Sequence, residues 1–125
     1  MVKLEDIMSE TDAPVVVADH RGLIVRVNLA FEKTFQWNSD DLIGQTIATI
    51  VPGNLRDAHH LGFSRFVTSG KPTILNQPLE LEIMTGSGEI IKAQHHIVAE
   101  KRDGHWVFAA KITPAQSGTS QDRSI

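Results

Sequence analysis

The chain has no cysteine, which excludes disulfides, thiolate metal sites and a cysteine nucleophile. It also lacks a long apolar run and a signal-peptide pattern. A soluble, cytoplasmic protein with no membrane association is therefore expected. An excess of positive charge is missing too. The formal net charge is −3, which argues against nucleic acid or an anionic membrane as the main partner. No glycine-rich phosphate loop, nucleophile elbow or paired-carboxylate pattern occurs, which argues against the chemistries that those motifs carry. What remains is 125 residues, enough for one domain that buries a core without covalent staples.

The stretch from Ala13 to Gly44 carries most of the information. Val15 to Asp19 and Leu23 to Asn28 read as strands, joined by a tight turn in which Gly22 is free to take positive φ. Asn28 offers a side-chain oxygen to cap a helix over 29–36. Asn38 or Ser39 can cap a second short helix, with Asp40 and Asp41 at its positive end. Upstream, Leu4, Ile7 and Met8 lie at helical spacing on a segment too short to persist alone. Pro52-Gly53 breaks the chain, and a helical pattern follows from Leu55 to Thr68, closed by Ser69-Gly70. Three strand-like runs come next, near 77–84, 89–99 and 105–112. Thr85 to Gly88 and Lys101 to Gly104 join them as hairpins. After Pro114 the composition is too polar to order itself. The expected organisation is an N-terminal helical flank over 1–11, one domain over 12–113 and a loose tail over 114–125.

The order of two strands, helices and three strands predicts an α+β fold: a five-stranded antiparallel sheet with helices packed on one face. The same order, with Phe35, Trp37, Leu42 and Gly44 at these intervals, resembles a PAS domain over residues 12 to 113. That resemblance implies a sensory and interaction module, a receiver of signals rather than an enzyme. Two positions depart from the family pattern. Gln36 stands where the family often has glycine. Lys111-Ile112-Thr113 stands where an Asp-hydrophobic-Thr motif often ends the last strand, and Pro114 then opposes a continuous signalling helix. Both argue against ordinary relay into a C-terminal kinase or cyclase. The flavin-photoreceptor branch of the family needs an adduct-forming cysteine, which this chain does not have.

On a helical wheel, Leu55, His59, Gly62 and Phe66 share one narrow face, and His60 lies away from it. His59 is therefore expected to point into the core. Pro52, Arg56 and His59 resemble the stretch that carries the proximal histidine of heme-binding PAS sensors. The resemblance implies heme b with His59 on the iron and Gly62 leaving room for the macrocycle. The alternative is a core histidine bonded to a backbone carbonyl. Ile91, Ala93, His95 and Ile97 share one strand face, so His95 should line the opposite wall and His96 should point away. His95 is the candidate second axial ligand, the alternative again being a hydrogen bond inside a filled core. Leu79 falls where the oxygen sensors carry a distal arginine, and Gln77 where one of them offers a methionine. Leucine cannot hydrogen-bond bound oxygen, so redox, carbon monoxide or nitric oxide sensing, or heme carriage, is expected before oxygen sensing. The expected cofactor-binding set is His59, His95, Leu55, Gly62, Phe66, Leu79 and Ile91. The neighbours His59-His60 and His95-His96 diverge too far to chelate together. Glu80 and Glu82 alternate with Leu79, Leu81 and Ile83 and belong to a solvated sheet face.

The function expected is a signalling module that binds a small ligand or cofactor and acts through dimer or partner contacts, a histidine kinase being one such partner. The alternative is a ligand-free interaction domain. A homodimer is expected, with Leu4, Ile7 and Met8 meeting a surface near Val98, Trp106 and Phe108. The competing arrangement folds the N-terminal helix back onto its own sheet.

Overall fold

The computed structural model describes residues 2–53 and 78–115. Helix α1 (Leu4–Met8) leads into strands β1 (Val15–Ala18) and β2 (Ile24–Val27). Helices α2 (Leu29–Phe35) and α3 (Ser39–Leu42) and a 3-10 turn (Ile47–Ile50) follow. Strands β3 (Pro78–Met84), β4 (Ile90–Arg102) and β5 (His105–Pro114) complete a five-stranded antiparallel sheet in the order β2-β1-β5-β4-β3. The expected helix over 55–68 lies outside the described residues, and with it Leu55, His59, His60, Gly62 and Phe66.

Local chemistry sets most of these boundaries. Asp19 accepts the N–H groups of Arg21 and Leu23 at 2.9 and 3.1 Å, closing the turn in which Gly22 takes φ 80°. Asn28 caps α2 as expected, accepting Phe31 N–H at 3.0 Å. Its side chain does more than cap. The same oxygen accepts Val15 N–H at 2.9 Å, and Nδ2 donates to the carbonyls of Glu10 and Ala13. One amide thus ties the segment entering β1 to the start of α2. At α3 neither expected cap acts through its side chain: Asn38 is the N-cap without a side-chain bond, and the Glu32 carboxylate takes Ser39 N–H at 2.6 Å. Asp103 and Gly104, both at positive φ, form the two-residue turn between β4 and β5. Paired positive φ matches the twist of the flanking strands.

The sheet has two differently covered faces. On the inner one, Val16, Ile24, Phe31, Phe35, Leu42, Ile50, Ile83, Ala93, Ala110 and Ile112 form the main core beneath α2, α3 and the 3-10 turn. Phe31 and Phe35 meet edge to face at 5.1 Å. Ile24 and Val27 both reach this core although they are three residues apart, a spacing that a regular strand would send to opposite faces. A bulge resolves this: Val17 pairs with Arg26 and Ala18 with Ile24, so Val25 is the extra residue.

The outer face carries α1, so not every helix lies on one side of the sheet. Leu4 and Ile7, 0 % and 2 % exposed, pack on Val15, Val17, Val98 and Ala109, with Val107 and Met8 beside them. Val98 belongs to the receiving surface as expected, but Trp106 and Phe108 do not. Val107 and Ala109 meet α1, whereas Trp106 and Phe108 have the opposite strand parity, and Phe108 pairs with the inward Ala18. Polar contacts fix the helix in place. Leu4 N–H donates to Glu100 Oε2 at 2.9 Å, and Arg102 contacts Glu5 at 3.2 Å and Glu100 at 3.7 Å. In this fold α1 docks on its own sheet.

Candidate functional site

The described part of the site is the inner wall formed by β3, β4 and β5. Cross-strand pairing sets Leu79, His95 and Ile112 side by side, with Leu81 beside Ala93 and Ile83 beside Ile91 in the next rows. Three residues singled out from the sequence, Leu79, Ile91 and His95, are therefore on one face, as strand period requires. Ile112, Ala93 and Ile83 are buried, and Leu79 and Ile91 are half-buried. Leu81 stays 40 % exposed. The wall is thus apolar with a single ionisable group in its middle.

That group is His95, only 9 % exposed, with Nδ1 3.1 Å from the carbonyl oxygen of Ala93. A carbonyl can only accept, so Nδ1 carries the proton and the neutral ring presents Nε2 as a lone pair. Burial pushes the His95 imidazole below its ordinary value, and the Ala93 bond offsets part of this. Two residues along the strand from Ala93, the ring is held by its own backbone. Its neighbour His96 is half-buried on the other face, as alternation dictates.

On that outer face, away from α1, the side chains are mostly polar, the Met84–Ile90 pair next to the hairpin being apolar. Glu82 pairs with Lys92, Glu80 with Gln94, and His96 with Lys111. Glu80 and Glu82 are exposed, the solvated positions expected from alternation. The hairpin between β3 and β4 is pinned from the other side. Trp37 Nε1 donates to the Met84 carbonyl at 3.0 Å, and Gly86 N–H donates to the Phe35 carbonyl at 2.9 Å. The Phe35-Gln36-Trp37 segment thus anchors the strand that bears Leu79, a role the sequence did not reveal. Among the described residues, no group of three or more His, Cys, Asp or Glu side chains can hold a metal ion.

A family model described as the PAS fold matches residues 3–78. The chain belongs to the PAS family. Solved PAS domains share its architecture. The PAS domain of an HTR-like protein from Haloarcula marismortui superposes with a TM-score of 0.69 at 17 % identity, covering 90 % of this chain and 88 % of that one. The PAS domain of the RpfR quorum-sensing receptor from Cronobacter turicensis, solved in complex with BDSF, gives a TM-score of 0.60 at 19 % identity, over 85 % and 98 %. An uncharacterised protein of Azorhizobium caulinodans is 28 % identical over 112 residues, 89 % of this chain. The chain spans only 15 % of that relative's length. PAS domains are typically sensory or signalling modules, and this one has their sheet, helices and strand order. No helix among the described residues is long and apolar enough to cross a membrane.

Proposed function

We propose that this chain is a sensory PAS module that takes a small ligand or cofactor against the inner face of its sheet. It signals through dimer or partner contacts and catalyses nothing itself. The observation that carries the reading is His95, a buried imidazole whose Nδ1–H is committed to Ala93 and whose Nε2 bears a lone pair on an otherwise apolar wall. Such an atom suits a ligand that donates a hydrogen bond, or an iron. Heme b is the proposed cofactor, which the imidazole nitrogens of His59 and His95 would hold. Leu55, Gly62, Phe66, Leu79 and Ile91 complete the proposed binding set. The donor chemistry fits heme, because neutral histidine nitrogen is a common axial ligand and apolar side chains suit the macrocycle. Heme would supply a redox-active iron, able to take carbon monoxide or nitric oxide where one histidine gives way.

The same proposal places a folded unit over 12–113 between a helical flank and a tail, in a cytoplasmic protein. It pairs as a homodimer or hands its signal to a partner such as a histidine kinase. The matched relative's much greater length supports a role as one module of a larger polypeptide.

An absorption spectrum with and without added hemin tests the reading. A Soret band is expected, lost in His59→Ala and shifted but retained in His95→Ala. Equal hemin uptake by wild type and His59→Ala removes that site. A colourless protein that still dimerises favours the alternative, a ligand-free interaction domain.

A further inference from the structure

At the end of the sheet far from Leu79, two further histidines meet. His20, in the turn between β1 and β2, stacks on His105, the first residue of β5, with ring centroids 4.4 Å apart and planes inclined by 23°. The contact follows from the ladder: Ala18 pairs with Phe108, and both chains run on past that pair towards the same edge of the sheet. Both side chains are exposed. From this juxtaposition we propose that His20 and His105 form a binding site for a borderline divalent transition metal of the copper, nickel or zinc class.

The geometry needs little change. Two imidazole nitrogens on one tetrahedral ion at about 2.0–2.1 Å each lie roughly 3.3 Å apart. With ring centroids 4.4 Å apart, the two imidazoles lie within reach of one ion, but stacking aims their in-plane lone pairs side by side rather than at one point. Both side chains are exposed, and rotation about χ1 and χ2 would converge them. Imidazole favours copper, nickel and zinc over calcium and magnesium, which prefer oxygen ligands. The surroundings do not supply a competing carboxylate ligand from Asp19, which is held by Arg21 at 2.9 Å. With two protein ligands, the remaining coordination positions are left to water, so the ion should exchange readily rather than act as a structural staple. Binding clamps the β1–β2 turn to the β4–β5 hairpin and is independent of any ligand on the inner face.

Titration of the full chain with Cu²⁺, Ni²⁺ and Zn²⁺ salts, followed by calorimetry, tests the proposal. One equivalent should bind, with Cu²⁺ tightest. His20→Ala and His105→Ala should each weaken binding by about tenfold or more, and the double variant should lose little further. Electron paramagnetic resonance of the Cu²⁺ form should show two nitrogen ligands in the wild type and fewer in either variant. Affinity should fall as the pH is lowered, because protons compete for the ring nitrogens. Wild-type affinity in either single variant overturns the site. So does binding that disappears only when His59, His60, His95 or His96 is replaced, or the absence of binding by all three ions.

Discussion

Single residues hold this fold at points where two backbones approach. Gln36 sits at the C-cap of α2 in the left-handed conformation, φ 61°. A β-carbon makes that region costly, which is why glycine is the usual resident at such a cap. Gly86 approaches the same segment from the other side of the chain. A β-carbon there would collide with the backbone carbonyl of Gln36. Opposite outcomes are therefore expected for two small changes. Gln36→Gly should stabilise by about 0.5–1 kcal/mol, by relieving the left-handed strain. Gly86→Ala should destabilise by about 1–3 kcal/mol, because backbone rather than a pliable side chain must give way. Urea unfolding of the two variants checks both. A neutral Gly86→Ala would mean that the β3–β4 hairpin is not seated against α2 as described.

At the scale of elements, what could be read from the sequence is what neighbouring residues decide. The Asn28 cap, the Gly22 turn, a hairpin within Lys101 to Gly104 and the inward phase of His95 all rest on local spacing, and each is present, the turn itself narrowing to Asp103-Gly104 because β4 runs on to Arg102. The Val25 bulge, the Gln36–Gly86 approach and the anchoring of α1 by Glu100 depend on partners distant in sequence, which periodicity cannot see. The inner wall was legible on β4 for the same local reason, whereas the stacking of His20 on His105 needs the β1–β5 pairing. The choice of outer surface for α1 shows the difference well. Strand parity separated Val107 and Ala109 from Trp106 and Phe108, but only the packed sheet decides which pair faces out. Because Leu4 and Ile7 are buried on their own strands, α1 does not require a partner to cover it. Deleting residues 1–10 uncovers Val15, Val17, Val98 and Ala109, and the truncated protein should aggregate or unfold at lower temperature. A shift from dimer to monomer in light scattering would instead make α1 part of an interface between copies. A dimer of unchanged affinity and stability would remove the helix from both roles.

At the scale of the whole molecule, the perturbed titratable groups among the described residues are placed so that acid should weaken the fold in two separate windows. His95 is neutral in the fold and its imidazole is held below the ordinary 6.5, first by burial. Below 6.5 the unfolded chain takes up a proton that the folded chain still refuses. Stability therefore falls as the pH drops from 6.5 towards the lower folded value, and is fully restored above 6.5. The carboxylates act further down. The N–H groups of Ala13 and Asp12 hold Glu10 below its ordinary 4.5. Burial pushes Asp19 up from 3.8, but the hydrogen bonds from Arg21 and Leu23 outweigh it and bring it down. Their contributions are present above those ordinary values and are lost as the pH falls through the depressed ones. Chemical unfolding between pH 8 and pH 3 should thus show an upper decline and a separate lower one. In His95→Gln, which keeps a polar side chain but cannot titrate, the upper decline should shrink and the lower one persist. An upper decline of the same size in His95→Gln would assign that proton to another group. It would also take away the neutral, lone-pair-bearing imidazole on which the proposed ligand site rests.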